Sequence, residues 1–352
     1  MLTEHLSKLN DVVDPEHVAR AEECLYASVC YKEVDRLPRI VACQVAGWPA
    51  FTYKEAFHDM EKMLLNELAG VWMGAHVRDD RMYTIRANYG VGVIASMFGC
   101  EIVLTEDNAM PWVTHLTDEQ LDRALDAGPV DIEAGLGARV FETERFYLQA
   151  LSEYDNLSRC VHLFVSDTQG PFDVAHLVMG HRIYTEVYDN PARVHRLLEL
   201  TSDAYVRFTK AQKQVIGESL EWGFHYHGQF KLRGAGRACD DTGINLSTAC
   251  YKEFSKPYNR RVFRELGGGW VHYCGSGKQI LEEVLTTEGV TAINFGNPEM
   301  QDLGQVYSLA QPRQVAIVGW SGPGPVPDNI RTGITVTRNA PDLRTARQMV
   351  AS

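Results

Sequence analysis

The stretch GGGWVHYCGSGKQILEEVLTTEGVTAINFG, residues 267–296, decides the fold. WVHYCG (270–275) reads as a short strand walled by glycines, SGKQILEEVLTT (276–287) as a helix, and VTAINFG (290–296) as a second strand. Strand, short loop, helix, strand is the crossover unit of a parallel sheet. Within the first strand His272 and Cys274 stand two residues apart, so both point to one face. An imidazole and a thiol are aimed together into one space at the strand's C-terminal end. The flanking glycines thin the backbone there, as close approach of another group requires.

Working outward, the same alternation recurs. RIVACQV (39–45), HLFVSD (162–167), RACDDTG (237–243) and QVAIVGW (314–320) read as further strands. Between them, residues 190–217 form a long helical pattern with Asn190 as N-cap, Pro191 in the first turn and Gly217 as stop. Residues 53–72 read as a helix as well. A doubly wound sheet and a (β/α)8 barrel both fit this order. The chain length, with room for N-terminal helices, favours the barrel. In either architecture ligands gather at the C-terminal strand ends, where Asp167, Asp240, Asp241, His272 and Cys274 all fall.

The formal net charge of −12 and the lack of a basic run argue against a nucleic-acid or anionic membrane surface. No stretch approaches the ~20 apolar residues that span a bilayer. The N-terminus has no signal-peptide pattern, and the eight cysteines show no C-x-x-C spacing, which predicts a cytoplasmic protein with reduced thiols. There is no P-loop, H-E-x-x-H or G-x-S-x-G. The G-x-G in NYGVGVIASMFGC (88–100) lacks the third glycine of a dinucleotide site and no clear strand leads into it.

A histidine and a cysteine on one strand end suit Zn²⁺, although a catalytic zinc takes three protein ligands. The plainer alternative is a buried thiol beside a hydrogen-bonded core histidine. In DDTGINLS (240–247) two acids precede Ser247. They read either as an acid–base pair or as a capping loop. In SDTQGP (166–171) Asp167 and Gln169 read as polar contacts facing a pocket, or Asp167 as a helix cap. EWGFHYHG (221–228) offers Glu221, His225 and His227 from an aromatic loop.

DRLPRI, NYGVGVIASMFGC, SDTQGPFDVAHLVMG, DDTGINLSTACYKEFSKPYNRRV and VHYCGSG, spread over residues 30–320, together resemble the uroporphyrinogen decarboxylase superfamily. The resemblance implies an α/β fold, a (β/α)8 TIM barrel, as a single domain over 1–352 with 1–35 as an N-terminal helical extension. Its decarboxylase branch grips a polycarboxylate with several arginines. Here Arg36 and Arg39 precede a loop without any, which speaks against a tetrapyrrole substrate. Its corrinoid-dependent methyltransferase branch holds zinc through a His-x-Cys and a later cysteine. His272 and Cys274 match the first part; no cysteine follows Cys274. Asp241, Glu221, His225 and His227 are the candidates for the third ligand.

The resemblance thus implies methyl transfer between a small methylated substrate, or a thiol or pterin acceptor, and a separate corrinoid protein, since no D-x-H-x-x-G cobalamin motif occurs here. Asp167, Asp240 and Asp241 are the candidate acid–base groups, and Arg86, Asn88, Tyr89, Gln169 and Ser247 the candidate substrate contacts. Two alternatives stay open. One is a metal-free decarboxylase or lyase, with Asp80 as carboxylate and Arg86 binding an acid group. The other is a non-catalytic barrel that binds a tetrapyrrole or a partner protein. A homodimer is left open too.

Overall fold

The computed structural model describes residues 1–351. Eight strands pair only in parallel: β1 (Arg39–Ala42), β2 (Tyr83–Ile85), β3 (Val161–Leu163), β4 (Gly236–Cys239), β5 (Gly269–Tyr273), β6 (Val290–Phe295), β7 (Ala316–Trp320) and β8 (Ile334–Asn339). Hydrogen bonding divides them into a six-stranded sheet, ordered β1-β8-β7-β6-β5-β4, and the pair β2-β3. The expected single closed ladder is therefore met as a mixed α/β fold in two groups. Lone backbone bonds tie the groups together: Asp80 N–H donates to the Arg39 carbonyl and Gly170 N–H to the Cys239 carbonyl, both at 3.0 Å.

The N-terminal extension folds as the helices Leu2–Val12 and Pro15–Val29, the second capped by the Asp14 carboxylate. Helix Pro191–Ile216 keeps its expected limits and ends on Gly217 at φ 81°. The expected helix 53–72 instead breaks at Asp59, whose extended backbone and side chain cap a new helix, Met60–Val77. Aspartate competes for backbone N–H groups and so favours caps over helix interiors. The expected helix 276–287 shrinks to Leu281–Leu285, because Gly275 and Gly277 take positive φ of 82° and 49°. No helix among the described residues is long and apolar enough to cross a membrane.

One end of the strand assembly is plugged. Ile40, Met82, Phe164, Trp270, Ala292, Ala316 and Val318 form a buried cluster against Ala21, Leu25 and Val29 of the second helix. Tyr226, Phe230 and Leu232 of the antiparallel hairpin Phe224–His227/Phe230–Arg233 close the same cluster. Burying each large apolar side chain there stabilises the fold by roughly 1.5–3 kcal/mol. Most of these residues stand where the strands begin, so the opposite, C-terminal ends are left for chemistry.

The glycines around 267–269 serve packing rather than a ligand. A Cβ on Gly269 would lie 2.3 Å from the Gly236 carbonyl oxygen, and one on Gly234 would lie 2.0 Å from the Gly268 carbonyl carbon. What approaches the backbone here is the start of the neighbouring strand.

Candidate metal centre

Strands β4 and β5 pair in register, with Arg237 opposite Trp270 and Cys239 opposite His272. His272 in turn lies opposite Asn294 on β6. Cys239, His272 and Asn294 therefore form one row across three strands, and Asp241 and Cys274 follow two residues on. Side chains two apart share a face, so the C-x-D of β4 and the H-x-C of β5 converge.

Cys239, Asp241 and His272 each offer a ligand atom within 4.8 Å of the others. The Cys239 thiol donates to Asp241 Oδ2 at 2.9 Å, and His272 Nε2 lies 3.8 Å from Asp241 Oδ1. Cys274 Sγ stands 3.5 Å from His272 Nε2, and its backbone N–H donates to Asp241 Oδ1 at 2.5 Å. Cys239 is buried, Asp241 and His272 are half-buried, and Cys274 is exposed, so the cluster opens to solvent on one side.

The second ring of contacts orients these donors. Asn294 Nδ2 donates to the Val318 carbonyl at 2.6 Å, which turns its Oδ1 toward His272 Nδ1, also at 2.6 Å. His272 Nδ1 then carries the proton and the Nε2 lone pair faces the cluster, the arrangement of a metal-binding imidazole. Asp241 is held from behind: its N–H donates to Asp173 Oδ2, and Thr242 N–H to Asp173 Oδ1, both at 3.0 Å. Burial pushes the Cys274 thiol up to about 11, assisted by the Asp241 charge, and burial also raises the Cys239 thiol well above its ordinary value. Without a cation both sulfurs keep their protons. A divalent cation reverses that preference, because thiolate is the ligating form. One imidazole, one carboxylate and one or two thiols, with a solvent-facing side, fit zinc chemically.

Beneath the cluster lies a charged layer. Asp167 Oδ2 meets Arg86 Nη1 at 3.1 Å, its Oδ1 meets Arg237 Nη1 at 3.1 Å, and Gln169 Nε2 donates to Oδ1 at 2.5 Å. Burial raises the Asp167 pKa, but the Arg237 and Arg86 guanidiniums outweigh it and hold the carboxyl below the usual carboxylate range. A second carboxylate, Glu67, accepts the Arg86 backbone N–H at 3.1 Å and flanks the same guanidinium. Arg237 shares the face of Cys239 and extends over Trp270, with 5.4 Å from Cζ to the ring centroid.

Other expected site residues lie elsewhere. Asp240 is fully buried and turned outward, where its Oδ2 accepts from Tyr251 at 2.5 Å and from Asn259 at 2.8 Å. Adjacent residues at a strand end face opposite ways, so Asp240 and Asp241 do not form an acid–base pair. Ser247 caps helix Thr248–Phe254 by accepting from Cys250 N–H. The Tyr89 hydroxyl is buried against Thr143 at 2.7 Å, and Asn88 Nδ2 is spent on Glu67 at 2.9 Å.

His225 and His227 belong to the plugging hairpin. His225 Nδ1 lies 3.3 Å from Glu218, and His227 Nε2 lies 2.8 Å from the Gly234 carbonyl, at the start of β4 rather than its end. Glu221 accompanies them in the turn Leu220–Trp222. Asp80 binds Arg36 and the Arg39 N–H at the start of β1. None of these four reaches the cluster, since the length of the strands separates the two ends. Cys239 and Arg237 are the residues that the sequence reading missed. The sequence offers only the C-x-D spacing at the end of β4; that it faces the H-x-C of β5 comes from the inter-strand register.

No protein-family model matches the chain, and no curated protein sequence matches it. Among solved structures, the chain is similar to a methyltransferase from Methanosarcina mazei. The TM-score is 0.66 at 15% identity, over 94% of this chain and 97% of that one. At that identity the likeness carries the architecture: the chain has the α/β fold of that methyltransferase, with a Cys239–Asp241–His272 cluster at its strand ends.

Proposed function

We propose that this chain is a metal-dependent methyltransferase of the uroporphyrinogen decarboxylase superfamily. In this reading its two strand groups close as a (β/α)8 barrel, and it exchanges a methyl group between a small molecule and a separate corrinoid protein. The observation that carries this reading is the convergence of Cys239, Asp241 and His272, with Cys274 alongside, on the open strand ends of a fold shared with a methyltransferase. Zinc held by these residues would supply Lewis acidity toward the heteroatom that bears or receives the methyl group.

The chain's own groups do the rest. Asn294 fixes the tautomer of His272, so its lone pair is presented without reorganisation. Asp173 and the Cys274 N–H hold Asp241 in place from two sides. Arg86 and Arg237, which flank Asp167, would orient an acidic group of the small molecule. The plugged far end keeps water out of the interior and sends substrate and partner to the same mouth.

The test is metal content and methyl transfer measured together. Purified chain should hold one equivalent of zinc at this centre, lost in Cys239→Ser and His272→Ala. Loaded chain should convert cob(I)alamin to methylcobalamin with a methylated small donor, or run the reverse transfer to a thiol. Turnover as a decarboxylase by metal-free chain would replace this reading with the lyase alternative.

A further inference from the structure

Away from the strand ends, three histidines meet at the surface. His176 lies on helix Pro171–Met179, His181 follows the turn at Gly180, and His115 lies in the segment just before helix Asp118–Ala127. His176 Nε2 and His181 Nδ1 face each other at 3.1 Å. Two nitrogens bound to one tetrahedral zinc stand about 3.3 Å apart, from Zn–N bonds of about 2.0–2.1 Å. The ring centroids of His176 and His181 are 5.0 Å apart, and His115 lies 6.1 Å and 6.3 Å from them.

The third ring is held beside this pair. His115 Nδ1 bonds the Leu177 carbonyl at 2.8 Å, which leaves Nε2 as its ligating atom. The adjoining backbone is fastened on both sides: Leu116 N–H donates to Val178 O, and Arg182 Nη2 to Leu116 O, both at 2.9 Å. A Cβ on Gly180 would lie 2.9 Å from His115 Cδ2, and Gly180 holds φ 79°, so glycine is what lets the ring lie over this turn.

We infer that His115, His176 and His181 form a second divalent-metal site, of the nitrogen-rich class that takes Zn²⁺, Ni²⁺ or Cu²⁺. The ligand nitrogens of the three do not yet all stand within 4.8 Å of one another, so the exposed His115 ring swings inward to complete the site. The ion clasps the 112–117 segment to the far end of the helix that carries Asp173, the residue holding Asp241 in place. This inference does not depend on the proposed activity.

The probe is Zn²⁺ itself, titrated calorimetrically at pH 7.5 into chain stripped with chelator. In a Cys239→Ser/His272→Ala background one equivalent should remain. It should be abolished by His181→Ala and weakened at least tenfold by His115→Ala. If that background does not fold, the wild-type stoichiometry should fall by one equivalent in His181→Ala, whichever way the strand-end centre behaves. Gly180→Ala, which crowds His115, should weaken the same equivalent. Zinc stoichiometry unchanged by His181→Ala, or no zinc bound in a folded background variant, overturns the site.

Discussion

At the scale of single residues, the chemistry turns on which nitrogen of His272 is free. The chain of bonds from the Val318 carbonyl through the Asn294 amide to His272 Nδ1 settles that across three strands. Asn294→Ala should leave the fold intact and lower zinc affinity at the strand-end centre by about 10–100-fold, the usual effect of removing such a support. Competition against a chelator of known strength measures it, and unchanged affinity would mean that His272 is positioned by something else. The half-legible nature of this site has the same origin. His272 and Cys274 were readable from alternation along one strand. Cys239 was not, because a sequence carries spacing within a strand but not the register between β4 and β5 that sets Cys239 opposite His272.

At the scale of elements, the seam between β3 and β4 depends on the loop that follows β3. Gly170 N–H donates to the Cys239 carbonyl there, and a Cβ on Gly170 would lie 2.6 Å from that same oxygen. Gly170→Ala keeps an ordinary φ of −76° and acts by overpacking alone. It should cost about 1–3 kcal/mol in urea unfolding and weaken zinc binding by displacing the end of β4. Wild-type stability together with wild-type affinity would show that the loop yields freely. Element recognition failed for physical reasons too. β2, only Tyr83–Ile85, is too short to show alternation, and this hid the strand that leads toward the G-x-G stretch. β8, Ile334–Asn339, alternates with threonines and follows a Gly- and Pro-rich segment, so it lacked the apolar run of its neighbours. FHYH at 224–227 alternates well, yet nothing local shows that its partner is the next strand of a plug.

At the scale of the whole molecule, the plugged end makes folding sensitive to acid. Burial lowers His227 to about 3, with the Lys213 charge adding to it, and burial likewise lowers His162 to about 4. His227 is fully buried near His225, Glu218 and Lys213, and His162 stacks on Tyr226 with ring centroids 3.9 Å apart. A histidine whose folded pKa is depressed binds protons more readily when unfolded. Its contribution is complete above about 6.5 and is lost as pH falls through the folded value. For each of these two groups, acidification from pH 6.5 to 4 should remove on the order of 3 kcal/mol. Asp240, pushed up to about 6 by burial, works with the opposite sign in the same window. The decisive quantity is therefore the difference between wild type and His227→Gln, a substitution that keeps a donor for the Gly234 carbonyl. Melting temperatures of metal-stripped chain between pH 4 and 7.5 should show a shallower acid limb in the variant. Parallel limbs would place the acid sensitivity outside the plug, and the separation of a buried structural end from an open chemical end would lose its electrostatic support.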